Sequence, residues 1–174
     1  GLEDGNCKPL HPYGVGKLAG EEYVRVYHSL YGLKTTVLRY VSVYGPRQRG
    51  DIEYAAVIPK FLKFALEKKP LTVYGDGTQT RHFTFVKDVV DGTVSAWKNT
   101  ASQGEVFNLA SLKPVSLNQI IDGIKKLVGP IEVQYTPPKA GEVKHNPINS
   151  SKAQTRLGFE PKYSLENGLC ETLD

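Results

Sequence analysis

Strand-patterned and helix-patterned segments alternate along almost the whole 174-residue chain, and this alternation limits the fold more than any other feature. Residues 12–31 carry helical apolar spacing, with Pro12 in the first turn and Gly32 as a stop. "KTTVLRYVSVYG" (34–45) is a β-branched strand that ends at "GPR", where Pro46 halts regular pairing. A helix over 55–69, interrupted early by Pro59, leads to a strand over 71–77 that runs into a Gly-Asp-Gly turn. Residues 81–86 alternate as a strand, 86–99 return to helical spacing, and 105–110 are again strand-like. A helix over 116–129 starts on a Ser cap and stops at a Gly, 131–136 form a last strand, and a short helix occupies 151–157. Strands alternating with helices imply an α/β protein. There are no internal repeats and no low-complexity segments.

Composition narrows the class. The chain is 40% apolar and 23% charged, ordinary values for a globular domain. Its 22 basic and 18 acidic residues leave a net charge of +4, spread without runs. That balance suits an anionic small molecule and falls short of the basic stripe expected for nucleic-acid binding. Cys7 and Cys170 stand alone, outside any metal-binding spacing, so neither a disulfide framework nor a metal site is expected. No apolar run approaches the roughly 18 residues of a membrane span, and nothing resembles a signal peptide. A cytoplasmic protein is the expectation. The complete lack of methionine fits a processed chain or a piece of a longer one.

"HPYGVGKLAGEEY" (11–23) admits two readings. Gly14, Gly16 and Gly20 suggest a phosphate-cradling loop, but such a loop needs a strand to deliver it and a G-x-G-x-x-G spacing. Here two prolines precede the glycines, the spacing is G-x-G-x-x-x-G, and no acidic ribose partner follows on a second strand. The alternative is a helix on which Tyr13 and Lys17, four residues apart, share one face. An ammonium beside a phenol favours the phenolate, which equips a tyrosine for proton transfer. Spacing alone leaves a second account open, a tyrosine on a core-facing stripe beside a solvated lysine.

The surroundings of that helix are specific. "HPYGVGKLAGEEYVRVYHSLYGLKTTVLRYVSVYGPRQ" resembles the extended short-chain dehydrogenase/reductases, in particular the NAD-dependent nucleotide-sugar epimerase/dehydratase family that includes UDP-glucose 4-epimerase. The resemblance continues, in order, through "VIPKFLKFALEKKPLTVYGDGTQTRHFTFVKDVV", "FNLASLKPVSLNQI" and "PPKAGEVKHNPINSSKAQTRLGFEPKYSLENGL". It implies the C-terminal part of a Rossmann-like NAD-dependent epimerase fold: the catalytic helix, the last sheet strands and a small substrate-binding lobe. Residues 1–50 would be the remnant of the Rossmann domain. Residues 51–174 would be mainly the substrate lobe, with some segments returning to the sheet.

The same resemblance implies roles. Tyr13 is the acid/base and Lys17 its partner on the nicotinamide ribose, with Tyr40 and Val41 as further neighbours of NAD. Ser42 stands where most relatives carry Asn, which leaves the substrate contact there with fewer donors. Val57, Val73 and Tyr74 match segments around the base and ribose, with core packing the alternative for the valines. Arg81 matches a diphosphate clamp, suited by its bidentate fork, although His82 follows it where relatives have Asp. Lys139 and Glu142, in "KAGEV", replace a family Arg and Asp that contact diphosphate and ribose. Arg47 and Gln48 are expected at the mouth of the site, and Asp88 as a structural residue capping a helix.

The glycine-rich cofactor loop and the Ser/Thr of the catalytic set do not occur in these 174 residues. The expectation is therefore part of a UDP-sugar 4-epimerase that oxidises its sugar transiently at C4, inactive as this chain alone and homodimeric when intact. The alternatives are a non-catalytic nucleotide-sugar-binding fragment, or a dehydratase or reductase of the same superfamily. A strand-loop reading "VSVYGP" favours epimerisation over dehydration, and Arg81 with Lys139 argues against a substrate lacking a diphosphate.

Overall fold

A computed structural model describes residues 1–5, 7–9, 11–52, 55–138 and 143–173. In chain order the elements are α1 (Pro12–Tyr31), β1 (Val37–Tyr40), β2 (Val43–Tyr44), α2 (Val57–Leu66), β3 (Leu71–Tyr74), β4 (Thr80–Arg81) and β5 (Thr84–Phe85). They continue with α3 (Val86–Lys98), β6 (Val106–Leu109), β7 (Val115–Ser116), α4 (Leu117–Val128), β8 (Val133–Thr136), α5 (Ser151–Leu157) and α6 (Leu165–Leu173). The α/β class is as the sequence implies. β1 pairs with β6, β2 with β5 and β3 with β8, all parallel, while β4 and β7 are antiparallel.

The expected single strand over 34–45 is two strands. At Ser42 the backbone turns left-handed (φ 41°), and the chain leaves its pairing with β6 to pair with β5. The Ser42 carbonyl still accepts the Thr84 amide, so the break is anchored on the incoming sheet. The strand expected over 81–86 likewise divides into β4 and β5. Pro59 does not interrupt its helix: it is the third residue of α2, where a missing N–H costs nothing. Gly32 ends α1 at φ 65°, and Ser116 opens α4 through a reciprocal capping box with Gln119.

Helix α6 is absent from the sequence expectation. Ser164 starts it, accepting the Asn167 amide at 3.1 Å, and Leu169 is fully buried. Gly168 is required there: a Cβ would lie 2.1 Å from the Tyr44 hydroxyl oxygen. Asp88 is structural but not a cap. It lies inside the first turn of α3, 2% exposed, and its two carboxylate oxygens accept the amides of Lys162 (2.8 Å) and Tyr163 (3.2 Å). The segment entering α6 is thereby pinned to α3. Burial, and then the charge of Asp88, pushes the Tyr44 phenol far above its ordinary range.

Two apolar clusters result. The larger joins Ile58, Phe61 and Leu62 of α2, Leu71 and Val73 of β3, Phe85, and Ile120, Ile121 and Ile124 of α4 with Leu169 of α6. The smaller joins Ala96 of α3, Phe107 and Leu109 of β6, and Ala153, Leu157 and Phe159 around α5. Helix α1 contributes to neither and has no buried residue. It is held by Glu21, whose carboxylate takes the Arg39 guanidinium in a bidentate pair (3.0 and 2.7 Å).

Two predictions follow from this packing. Asp88→Ala leaves two amides without their acceptor and should lower unfolding stability by roughly 2–4 kcal/mol, read as a reduced urea midpoint; an unchanged midpoint removes the pinning role. Ser42→Asn should raise stability by about 0.5–1 kcal/mol, because Asn tolerates the left-handed backbone better than Ser. A melting temperature at or below that of the parent chain would contradict strain at this turn.

Candidate substrate cavity and catalytic helix

The left-handed turn at Ser42 brings the loop between β1 and β2 against the amino end of α2. Between them, β3 and β4 wall a cavity of about 440 Å³. Strand alternation decides which side chains of β3 enter it. Leu71 and Val73 point into the core, both fully buried, while Thr72 and Tyr74 face the cavity. On α2, Val57, Lys60, Phe61 and Phe64 share the cavity face at helical spacing. Phe83, Gln79 and Arg81 complete the wall.

Of the residues expected to touch substrate, Ser42, Val57, Tyr74 and Arg81 converge on this cavity. Val73 does not; it sits in the core cluster, in keeping with the packing alternative for that residue. Lys139 and Glu142 lie outside the described residues. Arg47 and Gln48, expected at the mouth, face a separate cavity of about 470 Å³ beside Leu62 and Leu66. Their placement has a local cause: Arg47 is itself left-handed (φ 64°), and the Gln48 side-chain amide donates to the Val43 carbonyl. Thr72, Gln79 and the phenylalanines were legible only through alternation and helical spacing, not through any motif.

Arg81 is engaged by the backbone. Its guanidinium donates to the carbonyls of Thr80 (2.7 Å), Lys144 (3.2 Å) and Val143. The Thr80 hydroxyl meets His145 Nδ1 at 2.9 Å, and Lys144 pairs with Asp76 at 3.3 Å. These contacts hold residues 143–145 along β4. The Asp76 carboxyl is held down at about 2, first by the Thr78 hydroxyl and amide and then by Lys144. His82 is buried and tethers its strand elsewhere, Nδ1 donating to the Ser111 carbonyl at 2.7 Å.

Tyr13 and Lys17 occupy one face of α1, with the lysine Nζ 5.4 Å from the centre of the phenol ring. Tyr13 is 77% exposed, and no residue of α1 lines the cavity. Tyr40 is half exposed at the end of β1, its hydroxyl 3.0 Å from Thr93 Oγ1, and Val41 follows it into the Ser42 turn. Among the described residues no group of three or more His, Cys, Asp or Glu is placed to hold a metal, and no helix is long and apolar enough to cross a membrane.

Comparison with known proteins places this arrangement. The chain is 39% identical over 168 residues to UDP-glucuronate 4-epimerase of Thermodesulfobacterium geofontis, covering 95% of the chain and 50% of that protein. It superposes on UDP-glucose 4-epimerase of Thermotoga maritima, solved with UDP-glucose, with a TM-score of 0.93 and 37% identity over 99% of the chain and 55% of that structure. UDP-glucuronic acid 4-epimerase of Bacillus cereus, solved with UDP-glucuronic acid and NAD, gives 0.89 and 40% over 98% and 54%. The chain thus spans about half the length of the curated relatives it matches. With residues 1–110 matching the model of that family, the chain belongs to the NAD dependent epimerase/dehydratase family.

Proposed function

We propose that this chain forms the substrate-binding side of an NAD-dependent UDP-sugar 4-epimerase that works by transient oxidation at the sugar C4. One observation carries the reading: four residues chosen from the sequence for substrate contact, Ser42, Val57, Tyr74 and Arg81, meet in one cavity. Phe61, Phe64, Phe83 and Tyr74 offer flat apolar surface for a base, and Arg81 offers donors for phosphate oxygens. The UDP-sugars bound in the two solved relatives support uracil as that base.

The residues assigned to NAD suit a dinucleotide. Tyr40 ends β1 directly beside Leu109 at the end of its parallel partner β6, and open α/β sheets bind dinucleotides beyond the carboxyl ends of their strands. Tyr13 and Lys17 present exposed polar ends from one face of α1. When bound, NAD supplies a reversible hydride acceptor. Tyr13 takes the proton of the C4 hydroxyl and returns it, and Lys17, one turn on, provides the neighbouring positive charge and a hold on the ribose. Residues 1–50, with β6 and the smaller cluster returning to them, are assigned to the Rossmann side, and most of 51–174 to the substrate lobe. The exposed Tyr23, Tyr27, Leu30 and Tyr31 of α1 make that helix the expected contact of a homodimer. Because the glycine-rich cofactor loop does not occur in these 174 residues, this chain alone is expected to bind nucleotide without turnover.

Calorimetric titration of the 174-residue chain tests the reading. UDP should bind while NAD shows no measurable heat; absence of UDP binding at millimolar concentration refutes the cavity assignment. In the longer protein that contains this chain, Tyr13→Phe should reduce kcat by about 10²–10⁴ with KM changed only a few-fold. An unchanged kcat would remove Tyr13 from the proton-transfer role.

A further inference from the structure

The cavity wall contains two cations, Lys60 and Arg81, and no carboxylate among the described residues. Such a site favours an anion, and the two cations are not equally available to one. Arg81 already gives three of its N–H groups to backbone carbonyls, leaving only part of its fork for a ligand. Lys60 forms no ion pair among the described residues. The other lysine of α2, Lys63, does not line the cavity and pairs with Glu67 at 3.7 Å.

Lys60 is also oriented by its surroundings. It belongs to the stripe Val57, Lys60, Phe61 and Phe64 that faces the cavity, and its Nζ lies 5.7 Å from the centre of the Phe64 ring. That contact keeps the ammonium near the wall but gives it no hydrogen-bond acceptor. A compact charge with three donors and no acceptor is matched by a phosphate oxygen.

We propose that Lys60 is an anion-binding residue of this cavity beside Arg81, neutralising charge on the diphosphate of a nucleoside diphosphate that the tethered Arg81 leaves uncovered. This rests on the reading of the cavity as a nucleotide-sugar site and adds to it a residue to which the resemblance gave no role.

The test compares UDP with uridine on the same chain, by calorimetry at fixed low salt. Lys60→Met should weaken UDP binding by roughly 5- to 30-fold while uridine affinity stays within about two-fold, since only UDP carries the charge. Lys60→Arg should restore most of the UDP affinity. UDP binding within two-fold of the parent in Lys60→Met overturns the proposal. So does an equal loss for UDP and uridine, which would mean that the lysine stem only packs against the base. If the parent chain binds neither ligand, the nucleotide reading of the cavity itself fails, a result distinct from a failure of Lys60 alone. Urea midpoints of both variants should match that of the parent, as expected for an exposed side chain.

Discussion

The chain changes sheet partner at one residue, and the site depends on that change. Until Tyr40 it lies parallel to β6; after Ser42 it lies parallel to β5. A left-handed backbone at a non-glycine residue is unfavourable by about 1 kcal/mol or more. Here it is held by the Ser42–Thr84 backbone bond and by the burial of Tyr44 two residues on. The same turn leaves Tyr40 beside Thr93 of α3 and puts Ser42 in the cavity wall. The boundary between the residues assigned to cofactor and to substrate is therefore a single backbone conformation.

The outer parts of the fold depend on polar contacts, in addition to whatever apolar surface they bury. Helix α1 has no buried side chain, yet Arg39 grips Glu21 through two hydrogen bonds in a mostly buried pair, which raises the arginine further despite the opposing effect of burial. Residues 143–145 are kept along β4 by Arg81, Thr80 and Asp76. Asp88 does the same for the approach to α6. These contacts are specific in geometry and leave the apolar face of α1 open to a partner.

Much of this was legible in the sequence, for identifiable reasons. Elements with strong local punctuation matched closely: α1 between Pro12 and Gly32, and α4 between Ser116 and Gly129. What periodicity could not show was the break at Ser42, because β-branched residues on both sides read as one strand and the turn is fixed by pairing with β5, far along the chain. Helix α6 escaped notice because its apolar positions, Leu165, Leu169 and Leu173, are few and its cap is a lone serine. In the site, motif resemblance found Tyr74 and Arg81 but chose Val73 where the two-residue alternation of β3 selects Thr72. It had no means of distinguishing Lys60 from Lys63, the other lysine of α2, since only the cavity lining separates them.

A uridine nucleotide is the proposed occupant of the cavity between α2, β3 and β4. Amide chemical-shift mapping of the isotope-labelled chain during titration with UDP tests it directly. Shifts clustered at Ser42, Val57, Thr72, Tyr74 and Arg81, with α1 beyond Lys17 unmoved, are the expected result. Shifts centred instead on Arg47, Gln48 and Leu66 around the neighbouring cavity, with the first group silent, would contradict it.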